Sequence, residues 1–152
     1  MAGDIDLGKN FQKLPDVLEY YDKEYENFKS DVSMKGKTIE RISMETPSFF
    51  AYYSERHNEL KKILSYMEAR VAQVRGKLYK GIKKSSNVAL GEREISRYID
   101  AEDEYEKIHI LMIEVKEMHD MYASAVESFR VIGYSMNNIV KARVADVSEM
   151  TL

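Results

Sequence analysis

Residues 53–78 read YSERHNELKKILSYMEARVAQVRGKL. Within this run Tyr53, His57, Leu60, Leu64, Met67, Val71, Val74 and Leu78 recur at alternating intervals of four and three. Such spacing lays a heptad-like apolar stripe along one face of a helix. Thr46-Pro47, just upstream, supplies an N-cap and a first-turn proline, so a long helix is expected from about Ser48 to Lys84. Gly76 and Gly81 each cost about 1 kcal/mol relative to Ala and are expected to fray or bend its last turns. Ser85–Gly91 is uncharged and reads as a loop.

A second long helix is expected from about Glu92 to Val147. Its first turns are acidic, which suits the helix dipole. Its stripe is Ile108, Leu111, Val115, Met118, Tyr122, Ala125, Phe129, Ile132, Met136 and Ile139, with Met112, Val126 and Val140 in a parallel row. One partner helix covers only part of so wide a face. The surplus is expected to be buried against other subunits, with Met118, Tyr122, Phe129, Ile132, Met136, Ile139 and Val140 as the oligomerisation set.

Upstream, residues 1–14 are polar and Gly-bearing and read as a mobile tail. Pro15-Asp16 followed by Glu19 signals a helix start, and a short helix is expected from about Val17 to Ser30, with Tyr20, Tyr21, Tyr25 and Phe28 on one face. Residues 31–45 hold a turn signal at Lys35-Gly36-Lys37, compatible with a small hairpin or a short helix. The predicted fold is all-α: a short N-terminal helix, then a long antiparallel helical hairpin, one domain over 15–152, assembling into a ring-like homo-oligomer.

Charge points to function. From Ala69 to Gly91 there is no Asp or Glu, while Arg70, Arg75, Lys77, Lys80, Lys83 and Lys84 supply six positive charges. The whole chain is at net −3, so the remainder carries −9. A local cationic surface on an acidic protein suits a polyanion. Tyr66 and Tyr79 interleave with the bases, and cations beside an aromatic ring are what single-stranded nucleic acid needs. The competing reading is a solvated basic face at a helix C-terminus. The candidate DNA-binding set is Arg70, Arg75, Lys77, Tyr79, Lys80, Lys83 and Lys84. Six phosphate contacts would give a salt slope of about −4 per subunit.

Other chemistry finds little footing. There is no Cys, hence no disulfide framework. Glu106-x-x-His109 has di-metal carboxylate spacing, but no second such motif accompanies it. The acids at 100–106 lack the register of a calcium loop. No nucleophile–base pair or phosphate-cradling Gly loop occurs, so no enzyme, no metal and no cofactor are expected. The N-terminus lacks a signal-peptide apolar region, and Ile110–Ile113 is too short to span a membrane.

Several segments together resemble the UvsY family, the recombination mediators of T-even phages. They are Asp31-Val32, Thr38, Tyr53-Ser54, Lys61-Lys62, Glu68-Ala69, Arg75-Gly76-Lys77-Leu78 and Ser96-Arg97-Tyr98, where the family has Asp-Arg-Tyr. The C-terminal Ile132-Gly133-Tyr134-Ser135-Met136-Asn137-Asn138-Ile139, followed by Ala142-Arg143, stands where the family has Arg-Gly-Phe-Ala-Ile-x-x-Ile. The resemblance spans about residues 31–147. It implies a helical protein that forms a heptameric or hexameric ring through its C-terminal helix and binds single-stranded DNA. It further implies loading of a phage recombinase onto DNA covered by single-strand-binding protein, in the cytoplasm of an infected bacterium. The family's DNA-contacting Lys-x-Arg pair falls on Arg75 and Lys77, with the residue types exchanged. The alternative from the residues alone is a helical scaffolding protein in which Glu102–Glu106 of one subunit meets Lys80–Lys84 of the next.

Overall fold

The computed structural model describes residues 11–149, with every regular element helical. A 3₁₀ turn, Phe11–Lys13, leads into α1 (Leu14–Tyr25), followed by α2 (Phe28–Asp31), α3 (Ile39–Ser85), α4 (Glu92–Asp100) and α5 (Asp103–Glu149). The all-α expectation holds. The mobile tail expected over 1–14 is corrected at its end: residues 11–14 are helical and Leu14 is fully buried, while residues 1–10 lie outside the described residues.

The described chain divides into two compact units. The first joins the residues up to Leu18 with Leu60–His119; the second joins Glu19–Glu59 with the residues from Asp120 onward. Helices α1, α3 and α5 contribute to both.

α3 starts nine residues before the position that Thr46-Pro47 marks. Its cap is Thr38, whose Oγ1 accepts from the Arg41 N–H at 3.2 Å. Thr46 is buried inside the helix and its hydroxyl donates to the Ile42 carbonyl at 2.7 Å. Pro47 therefore sits in the helix interior. Its missing N–H strands the Ser43 carbonyl, but Ser43 is exposed and water can serve that oxygen. Before α3 the chain turns at Met34–Lys37, closed by the Lys37 N–H to the Met34 carbonyl at 3.2 Å. Gly36 adopts φ 75°, the left-handed conformation that such a turn requires at its third position. Neither a hairpin nor a separate short helix forms over 31–45: residues 32–38 are a turn and the chain then enters the long α3.

The second unit is built around aromatic rings. Tyr53 is fully buried, with ring centroids 5.2 Å from Phe129, 5.6 Å from Phe28 and 5.9 Å from Tyr122. Each tyrosine must place its O–H somewhere. Tyr53 donates to Asp31 at 2.9 Å, Tyr21 to Glu59 at 2.8 Å, Tyr122 to the Tyr21 carbonyl at 2.8 Å, and Tyr52 to Glu24. Three of these four acceptors are carboxylates. Burial first, then those carboxylates, push the Tyr21 and Tyr53 phenols far above their ordinary range. Burial likewise raises Tyr122, and Tyr52 is pushed up to about 12 by burial and Glu24.

An unfolded tyrosine ionises near pH 10. Folded-state values lie higher, so this contribution to stability is intact below about pH 10 and is lost as pH rises toward the folded values. The protein should therefore unfold cooperatively in alkali, with loss of helical circular dichroism accompanying the phenolate absorbance of Tyr21, Tyr53 and Tyr122. Ionisation of these three tyrosines with the helix intact would contradict this packing.

The first unit has an aliphatic core. Val71 and Val74 of α3 pack with Ile95 and Ile99 of α4 and Tyr105 of α5. A second continuous helix over 92–147 is not found: the chain breaks at Ala101-Glu102. The reason is geometric. In an unbroken helix Tyr105 would point about 120° round from Ile99. The break brings both onto Val71 and Val74. Asp103, Glu104 and Glu106 fill the new first turn, where acids suit the dipole.

Candidate nucleic-acid interface

The acid-free stretch lies in the first unit, on the last turns of α3 and the following loop. α3 runs unbroken through Gly76 and Gly81 to Ser85, so the expected fraying there is absent. The stripe Met67–Val71–Val74–Leu78 takes the inner face. The bases then divide by their position around the helix.

Arg75 turns toward α4 and α5. Its Nη2 donates to Ser96 Oγ at 2.7 Å and its Nη1 to the Tyr105 hydroxyl at 3.1 Å. The guanidinium lies 5.7 Å from the Tyr105 ring centroid and 3.6 Å from Asp100 Oδ1. Only a planar fork reaches all these partners, so Arg75 ties the α4–α5 corner to α3. The Asp100 pair is half exposed and adds little. The two hydrogen bonds decide the outcome. Arg75→Ala should cost about 1–2 kcal/mol of stability, and Arg75→Lys should fail to restore it, as thermal unfolding will report.

Tyr79 also faces inward in part, packed against the core cluster, with Lys83 Nζ 5.8 Å from its ring centroid. Arg70 donates to Gln73 Oε1 at 2.6 Å and lies 5.8 Å from the Phe11 ring. Lys77, Lys80 and Lys84 are exposed and make no hydrogen bond or ion pair among the described residues. Their spacing of three and four keeps them on one face of α3.

Two residues outside the expected set share that face. Tyr66 is 57% exposed, one of the large apolar side chains the protein leaves in solvent. Lys62, one turn earlier, is exposed too. Lys62 escapes a search for acid-free sequence because Glu68 interrupts the run, yet Glu68 is carried to the other side of the helix, about 150° round.

The expected oligomerisation set also divides. Tyr122, Phe129 and Met136 are buried within the chain itself, because α1, α2 and the first half of α3 supply rings that a simple two-helix hairpin lacks. Met118 and Ile132 are half-buried, whereas Ile139 and Val140 are exposed, as is Val144 one turn on. A groove of about 300 Å³ runs beside Val140 and Met136, walled by Ser43, Thr46 and Pro47.

The histidines gather no site: His109 stacks on Tyr105 at 5.5 Å, and no cluster of three potential metal ligands occurs among the described residues. Among the described residues no helix is long and apolar enough to cross a membrane. The chain matches no protein-family model, and comparison with curated proteins and with solved structures finds no significant relative.

Proposed function

We propose that this chain is a non-catalytic protein that binds single-stranded DNA along the exposed face of α3. The observation that carries this reading is the set Lys77, Lys80 and Lys84, solvent-exposed and without an intramolecular acid to neutralise them. Phosphates are the natural partners of such lysines, and counterion release then drives binding. With Arg75 committed to α4 and α5, at most five bases of the original six can reach a strand, and the salt slope is no steeper than about −3.5 per subunit.

The biological role follows from the resemblance to the UvsY mediators. In that role the protein loads a phage recombinase onto DNA covered by single-strand-binding protein, in the cytoplasm of the infected host. Self-association, as a heptameric or hexameric ring, is part of the proposal. It is supported by Ile139 and Val140, which are apolar and exposed on α5 past Met136. Repeating the basic face in a ring multiplies weak phosphate contacts through effective concentration.

One observation favours the scaffolding reading instead: Glu102, Asp103, Glu104 and Glu106 are all exposed and available to a neighbour's lysines. Sizing at two salt concentrations, with and without a thymidine oligonucleotide, separates the two. DNA binding predicts an oligomer that persists in salt and co-elutes with the oligonucleotide at low salt. Scaffolding predicts an oligomer that dissociates in salt and ignores the oligonucleotide.

A further inference from the structure

We infer that Tyr66 is a base-stacking platform, and that the strand-binding face of α3 begins at Lys62 rather than at Arg70. The inference rests on the DNA-binding function proposed for α3 and deepens it. Lys62, Tyr66, Gln73, Lys77, Lys80 and Lys84 all lie on α3 within an arc of about 60°, given 3.6 residues per turn. That arc is centred about 120° from the Val71–Val74 core face. From Lys62 to Lys84 the face is about 33 Å long at 1.5 Å per residue. It carries four lysines and no acid.

Tyr66 is unusual within it. The fully buried tyrosines, Tyr21, Tyr53 and Tyr122, each donate a hydrogen bond inside the protein. Tyr66 makes no hydrogen bond or ring contact among the described residues and holds its ring out one turn beyond Lys62. Tyr79, the other aromatic of the region, is drawn into the core and has less surface to offer. An open ring on a cationic face meets the two needs of an unstacked strand, a π-face for a base and positive charge for the phosphates. A duplex hides its base faces, so this arrangement selects single strands.

The test compares binding of the intact protein to a thymidine oligonucleotide and to an abasic strand of equal length. Tyr66→Ala should weaken binding to the thymidine strand about tenfold or more, the usual consequence of losing one base stack. It should leave the salt slope unchanged and leave abasic binding unchanged. Tyr66→Phe, which keeps the ring, should bind like the parent. Lys62→Ala should lower the slope by about 0.7 on both strands. Circular dichroism checks the helix, and an exposed Tyr-to-Ala change is expected to preserve it. Equal affinity of the Tyr66→Ala and parent proteins for the thymidine strand overturns the inference, as does an equal loss on the abasic strand. If Lys77→Ala/Lys80→Ala also binds unchanged, the DNA-binding reading itself falls; if that variant weakens while Tyr66→Ala does not, only the stacking role falls.

Discussion

Tyr53→Ala should unfold the second unit under conditions where the parent chain is stable. Its side chain is fully buried and touches the rings of Tyr25, Phe28, Tyr52, Tyr122 and Phe129. Truncating a buried aromatic to Ala costs about 3–5 kcal/mol through forfeited transfer energy and the cavity left behind. Asp31 loses its donor as well. For a chain of this size the shift in Tm is about 10 °C or more. Tyr53→Phe isolates the hydrogen bond and should cost about 1 kcal/mol. Tyr134→Ala, at a residue 66% exposed, should change stability by no more than about 0.5 kcal/mol. Thermal melts of the three variants give the ranking directly; a Tyr53→Ala protein as stable as Tyr134→Ala would refute the aromatic core.

The second large effect concerns binding. Replacing Lys77, Lys80, Lys83 and Lys84 together by Ala should abolish detectable binding of a thymidine oligonucleotide at physiological salt. Where binding is still measurable, at low salt, the slope should fall by about 2.8, or about 0.7 for each phosphate no longer neutralised. Folding should be intact, because all four side chains are exposed and Ala is the better helix former. Arg75→Ala gives the opposite pattern, with lower stability and little change in slope. That outcome would separate Arg75 and Lys77, two positions apart, into a structural clamp and a phosphate-binding group. Retained affinity in the fourfold variant would remove α3 as the binding element.

The stripe of α3 was legible because heptad spacing is a local property of sequence. Its start was not. Thr46-Pro47 has the chemistry of a helix beginning, and only the packing of Ile42 and Thr46 reveals that the helix is already under way. The break at Ala101-Glu102 was hidden for a related reason. Glu92 to Val147 has no Pro and a Gly only at Gly133, and the need to rotate Tyr105 onto Val71 and Val74 is a three-dimensional demand. The aromatic face of α1 was visible, but its target was not. Once those rings cover Tyr122 and Phe129, the apolar surplus assigned to oligomerisation shrinks to the last turns of α5. In the basic stretch, counting charges located the cationic segment but not which side chains stay free on its surface. Position around the helix then withdrew Arg75, drew Tyr79 inward, and added Lys62 and Tyr66. A linear search cannot see that a single acid at Glu68 lies on the far side.

The central claim is that the outer face of α3 holds a single strand. Photo-cross-linking tests it most directly. A thymidine oligonucleotide bearing photoreactive bases is irradiated with the intact protein, and the adducts are located by mass spectrometry. The account predicts adducts confined to residues 62–84, strongest at Tyr66 and its neighbours, and competed away by salt. Adducts confined to α5, or none at low salt, would contradict it.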